Sequence, residues 1–149
     1  MKRYEHTQIG YLTLSAILLV AAFVAIMGIV WPSDRGIRLT NATFELILLI
    51  CAVIFSKLTI RIDGENLRAC FGMGIVLRKT LLNEISECEP IRIRWWDGWG
   101  IHLTPYGWLY NVSGLDAVAI LLRDGRKFAL GTDDPHGLVA AIQRFRSVK

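Results

Sequence analysis

A chain of 149 residues with net charge +4 and pI about 9.2 has room for one domain, or for one domain together with membrane segments. Its 53% hydrophobic content and mean hydropathy of +0.41, with the charges crowded outside two long apolar runs, favour the second arrangement over a water-soluble chain. The basic residues form no run or arm, and Cys51, Cys70 and Cys88 have neither CxxC spacing nor paired histidines, so a nucleic-acid tail, a zinc site and a disulfide framework are all disfavoured.

From Ile9 to Trp31 there are 23 residues without a charge, IGYLTLSAILLVAAFVAIMGIVW. At about 1.5 Å per residue, a helix of that length crosses the roughly 30 Å hydrocarbon layer with some tilt. Tyr4 and Tyr11 at one end and Trp31 at the other stand where interfacial aromatic anchors are expected. Lys2 and Arg3 precede the run as in a secretory signal, but a signal's apolar region is only about 7 to 15 residues and ends in small side chains. This run is longer and ends in bulky ones, so it reads as a retained anchor.

A second segment is expected at about 41–60, NATFELILLICAVIFSKLTI, although its uninterrupted apolar part, Leu46 to Phe55, is short. It spans a bilayer if Glu45 lies near one interface and Lys57 snorkels at the other; a buried soluble helix is the competing reading. The intervening PSDRGIRLTN has room only for a turn, so residues 1–60 read as an antiparallel transmembrane hairpin. Lys2, Arg3, Lys57, Arg61 and Arg68 on one side outnumber Arg35 and Arg38 on the other, which places both termini and the following domain in the cytoplasm. The acceptor-like triplets at Asn41 and Asn111 are then chance matches.

After Ser56 the pattern switches to alternation. Leu58, Ile60 and Ile62 face one way and Lys57, Thr59, Arg61 and Asp63 the other, which predicts a half-buried strand at the start of a domain covering 57–149. Asp63-Gly64 signals a hairpin to Leu67, Ala69 and Phe71. Further strands are predicted around 74–79, 85–94, 100–104 and 108–112. Asp124-Gly125 joins a last hairpin, 117–123 with 126–131, that faces Val118, Ile120, Leu122, Phe128 and Leu130 to the core. Asp133 or Asp134 as N-cap and Pro135 in the first turn predict a helix at about 134–147, with Leu138, Val139, Ile142 and Phe145 on one stripe and Arg144, Arg146 and Lys149 near its negative end.

About seven strands followed by one amphipathic helix is the order of a pleckstrin-homology-like (PH-like) barrel. The stretch Gly98 to Ile142, with its GWGI, YNVSG, DGR hairpin and GTDDP, resembles the second half of the bacterial PH-like domains, in which a pair of transmembrane helices often precedes the barrel. The resemblance implies an all-β barrel with a C-terminal helix, attached to the bacterial inner membrane, and no particular activity. The first hairpin loop, Asp63-Gly64-Glu65-Asn66, departs from phosphoinositide-binding PH domains in being short and acidic, so that specificity is disfavoured.

The densest candidate surface is Ile91 to Trp99. Alternation puts Ile91, Ile93 and Trp95 on one face and Arg92, Arg94 and Trp96 on the other, with Trp99 and Trp108 near by. Such a face suits a protein partner or anionic headgroups; the competing reading is that the tryptophans fill the core. A nucleic-acid platform is disfavoured because Glu84, Glu87, Glu89 and Asp97 flank it. Glu45 reads as an interfacial residue, Asp133 and Asp134 as caps, and the dispersed His6, His102 and His136 as unconnected. No catalytic residue, metal or cofactor is expected. The leading expectation is a non-enzymatic, membrane-anchored module that contacts protein partners or its own copies as an accessory or assembly subunit. An anionic-lipid-responsive module is the rival, and a small enzyme or transporter has little machinery to draw on.

Overall fold

The computed structural model describes residues 4–31, 34–97 and 100–146. Two 20-residue helices, α1 (Tyr11–Val30) and α2 (Arg35–Ile54), are each long and apolar enough to cross a membrane, and neither holds a buried residue. They face each other along half-buried positions spaced by three and four: Leu14, Ile17, Ala21, Val24 and Gly28 on α1, and Asn41, Glu45, Leu48 and Ala52 on α2. At Gly28 the missing side chain admits the Asn41 amide, 3.6 Å from where a Cβ would stand.

The second helix is displaced from its expected place at 41–60. It starts at Arg35 because the Asp34 carboxylate accepts the Ile37 N–H at 2.9 Å, and the hydroxyls of Thr40 and Thr43 turn back onto the Gly36 and Leu39 carbonyls, so polar residues expected in the turn are helical. It stops at Ile54 because the alternating residues that follow belong to a sheet; Lys57 is a strand residue, not a snorkelling one.

A first strand, β1 (Tyr4–Ile9), precedes α1 and pairs antiparallel with β2 (Lys57–Asp63), with Tyr4 opposite Ile62 and Ile9 opposite Lys57. The sequence pattern predicts no strand ahead of α1, and His6 lies within this one. β3 (Asn66–Phe71) and β4 (Ile75–Leu81) complete a sheet of order β1-β2-β3-β4. A second sheet contains β5 (Ile85–Arg92), β6 (Gly100–Thr104), β7 (Gly107–Asn111), β8 (Asp116–Leu122) and β9 (Lys127–Gly131), in the order β5-β8-β9-β7-β6. Among the described residues only the β7–β9 pair is parallel. Where a barrel of about seven strands is expected, the described residues form nine strands in two sheets, whose hydrogen-bonded orders end at β1, β4, β5 and β6, and closure into a barrel is not shown.

The core between the sheets is apolar and tightly filled. Leu58, Ile60, Ile62, Leu67 and Phe71 come from one sheet and Ile120, Phe128 and Leu130 from the other, each less than 2% exposed. Each such side chain contributes about 1.5–3 kcal/mol relative to exposure. α3 (Pro135–Arg146) seals this core with Leu138, Ala141 and Ile142. Asp134 caps it, accepting the Gly137 N–H at 3.0 Å, whereas Asp133 pairs with His6 on β1. The expected last residue of that helix, Ser147, and Lys149 lie outside the described residues.

Antiparallel register sorts the connections into two ends. The end that joins the helices carries Gly10, Ser56, the Gly72–Gly74 turn, the β5–β6 connection and the β7–β8 loop. The far end carries the Gly64 and Gly125 turns, the Pro105-Tyr106 turn and the end of α3.

Candidate interaction surface

The helix-joining end is tightly bonded. Gly10 N–H donates to the Ser56 carbonyl at 2.8 Å, the Thr13 hydroxyl on α1 to the Val112 carbonyl, the Gln8 amide to the Ser113 carbonyl at 2.8 Å, and Gly72 N–H to the Lys57 carbonyl at 2.9 Å. A Cβ on Gly72 would stand 2.6 Å from the Val53 carbonyl oxygen of α2, and Gly72 has φ +54°, so this close approach needs glycine on both counts. The turn it opens carries Met73, which is 88% exposed.

β5 stops at Arg92, opposite Asp116 where β8 begins. Ile93 is still held, its N–H donating to the Leu115 carbonyl at 2.8 Å, and is buried. Beyond it the expected alternation fails, because there is no further β8 residue to pair with and the chain turns through Trp95–Asp97 as a 3-10 helix. Trp95, expected on the same face as buried Ile93, is 70% exposed, and Trp96 is 61% exposed. The two rings meet edge to face at 5.7 Å, and the Arg94 guanidinium stands over Trp96 at 5.3 Å, an arrangement that shares one surface between charge and π-faces. Arg92 and Arg94 are both exposed. Trp99 lies outside the described residues.

Trp108 belongs to a different patch. It sits on β7 opposite Leu103 of β6 and beside Phe128 of β9, and directly paired residues point to the same side of a sheet. That side is the core face, since Phe128 and Leu130 fill the main core. Yet Trp108 is 50% and Leu103 72% exposed, with Ile101 also at the surface, so the core face of the sheet runs on past its cover at the β6 edge. The core-filling reading of the tryptophans thus fails for Trp95, Trp96 and Trp108. Leu103 escaped the sequence reading; its alternation with Ile101 was visible, but its pairing with Trp108 needs the register.

Glu45 is also corrected. It lies midway along α2, not near its start, on the half-buried face toward α1, with a shielded Oε1 that finds no hydrogen-bond donor among the described residues. Two clefts flank the end of α3 at the far end of the domain. One of about 470 Å³ is lined by Glu65, Asn83, Arg123 and Phe145, and one of about 540 Å³ by Cys88, Glu89, Tyr106 and Lys127. Burial pushes the Cys88 thiol up, partly offset by Arg146. Among the described residues no cluster of His, Cys, Asp or Glu is arranged to hold a metal ion.

Comparison with models of known protein families, with curated proteins and with solved structures returned no match.

Proposed function

We propose that this chain is a non-enzymatic contact module of a bacterial inner membrane. α1 and α2 span the bilayer, both termini and a PH-like β-domain lie in the cytoplasm, and the domain binds a protein segment along the β6 edge as an accessory or assembly subunit of a membrane complex. The observation that carries this reading is the Leu103–Trp108 pair, left uncovered on the core face of the five-stranded sheet. An aromatic ring and an aliphatic side chain paired in register at an open edge have the chemistry of an interface anchor. β6 is also the last strand of its sheet, so a strand laid beside it gains backbone hydrogen bonds as well as these side chains. The segment comes from a partner subunit or a second copy, and membrane anchoring raises the effective concentration of either. The run of strands followed in chain order by the single helix α3, and the excess of basic residues at the ends of the hairpin that join the domain, support the PH-like and cytoplasmic parts of the reading.

A photo-crosslinking residue at position 103, in intact native membranes, tests this against the same residue at position 87 on the opposite edge of the sheet. A discrete protein adduct is expected from position 103 alone, and is expected to vanish in a Trp108→Ala background. Adducts to lipid only, or to the same proteins from both positions, would overturn the proposal.

A further inference from the structure

The Trp95-Trp96 turn is separated from the Leu103–Trp108 patch, and its position points to a different occupant. Its two ends are fixed at the helix junction. On one side Ile93 bonds to Leu115, which follows the Val112 that accepts the Thr13 hydroxyl of α1. On the other side Gly100 stands opposite Asn111 and beside the ring of Phe55, the residue that caps the end of α2, with its Cβ position 3.8 Å from that ring. Trp96 is four residues from Gly100, so their Cα atoms lie within about 14 Å of each other at full extension. Met73, at the tip of the Gly72–Gly74 turn, is brought to the same level by the packing of Gly72 against Val53 and Ile54.

We infer that Met73, Trp95 and Trp96 rest in the headgroup region of the bilayer, with Arg92 and Arg94 toward lipid phosphates, so that the domain stands on the membrane through a second contact besides its helices. The inference rests on α1 and α2 being transmembrane. The reasoning is one of place and chemistry. The exposed side chains on the connections at this end of the domain include two indoles and a thioether, and indole prefers the membrane–water boundary to either phase. The guanidinium over Trp96 adds a charge that phosphate oxygens can bind while the ring stays among the glycerol groups. Leu103, which pairs with Trp108, lies three residues beyond Gly100, about 10 Å further along β6. The aromatic residues expected to form one surface thus form two, one toward lipid and one toward water.

The test uses the full chain with Trp31, Trp99 and Trp108 changed to phenylalanine, reconstituted in vesicles of phosphatidylcholine and phosphatidylglycerol whose acyl chains carry bromine either just below the glycerol or near the bilayer centre. Emission from Trp95 and Trp96 is expected to be blue-shifted, strongly quenched by the shallow bromines, weakly by the deep ones, and shielded from aqueous acrylamide. A companion chain with Phe23→Trp as its sole tryptophan reports on α1, which is expected to be quenched by the deep bromines. If Phe23→Trp is quenched and the Trp95-Trp96 pair is open to acrylamide, the lipid contact is overturned and the transmembrane anchor stands. If the pair is shielded from acrylamide and from both bromines, protein covers it, which overturns the lipid contact equally. If neither reporter meets bromine, the anchor fails and the inference with it.

Discussion

The helical hairpin and the β-domain use similar side chains in opposite ways. In the domain, Phe71 and Phe128 are sealed among leucines and isoleucines contributed by distant strands, and each is at most 1% exposed. In the hairpin, Phe23, Leu19 and Ile29 are 62%, 72% and 81% exposed, and the seam between the helices is a narrow stripe that includes a carboxyl group. One region is stabilised by removing apolar surface from water into a packed interior; the other leaves its apolar surface on the outside of the chain. Hydrophobicity alone therefore does not measure packing in this chain.

That contrast can be broken at single residues. The largest expected effect is Phe71→Ala, which leaves a cavity in a close-packed core and is expected to destabilise the domain by about 3–5 kcal/mol. Phe23→Ala removes the same atoms from a surface and is expected to change stability by less than about 0.5 kcal/mol. Denaturant unfolding of both variants in the same mild detergent checks the pair, and equal losses would mean that α1 is packed into protein. Next in size is Glu45→Leu. If α2 spans the bilayer as proposed, an ionisable side chain near its middle opposes insertion by about 3 kcal/mol, and the variant is expected to insert α2 more completely in a translocation assay. Unchanged insertion would mean that the carboxyl is already accommodated.

A smaller effect than that at Glu45 is expected at Tyr4, whose hydroxyl is shielded with no hydrogen-bond partner among the described residues. Tyr4→Phe is expected to stabilise the domain by about 1 kcal/mol near neutral pH by removing that unmet group. Burial first, then Asp134 and Asp133, push the phenol from 10.0 up to about 12. Between those values the unfolded chain releases its proton while the folded one keeps it, so the wild-type domain loses stability as pH rises through that window. The phenylalanine variant is expected to lack that component of the decline, measured as the difference between the two unfolding curves against pH.

Much of the β-domain was legible because its signals are local. Asp63-Gly64 and Asp124-Gly125 mark turns, the β2 and β8 alternations identify their buried faces, and Pro135 with Asp134 fixes the start of α3. β1 was not legible: its partner lies some fifty residues away, and its inward-facing residues include His6 and Gln8, which carry no apolar pattern. The start of α2 was obscured by Arg35 and Arg38, whose charges outweighed the cap at Asp34. The candidate surface was only half legible. Composition picked out Arg92 to Trp96, but alternation was extended past the point where β8 has residues left to pair, which put Trp95 on the wrong side. Which residues join Trp108 depends on the β6–β7 register, information that no window of sequence contains.

Because β1 and β2 flank the helical hairpin and then pair with each other, the chain cannot finish its first sheet in the order in which it is synthesised. The opening strand has to wait, unpaired, until Lys57 to Asp63 follow the hairpin; if α1 and α2 span a bilayer as proposed, it finds its neighbour only when those residues emerge on the same side. On the proposed topology insertion and folding are coupled: a hairpin only half delivered strands Tyr4–Ile9 across a lipid barrier from its mate and leaves the first sheet incomplete.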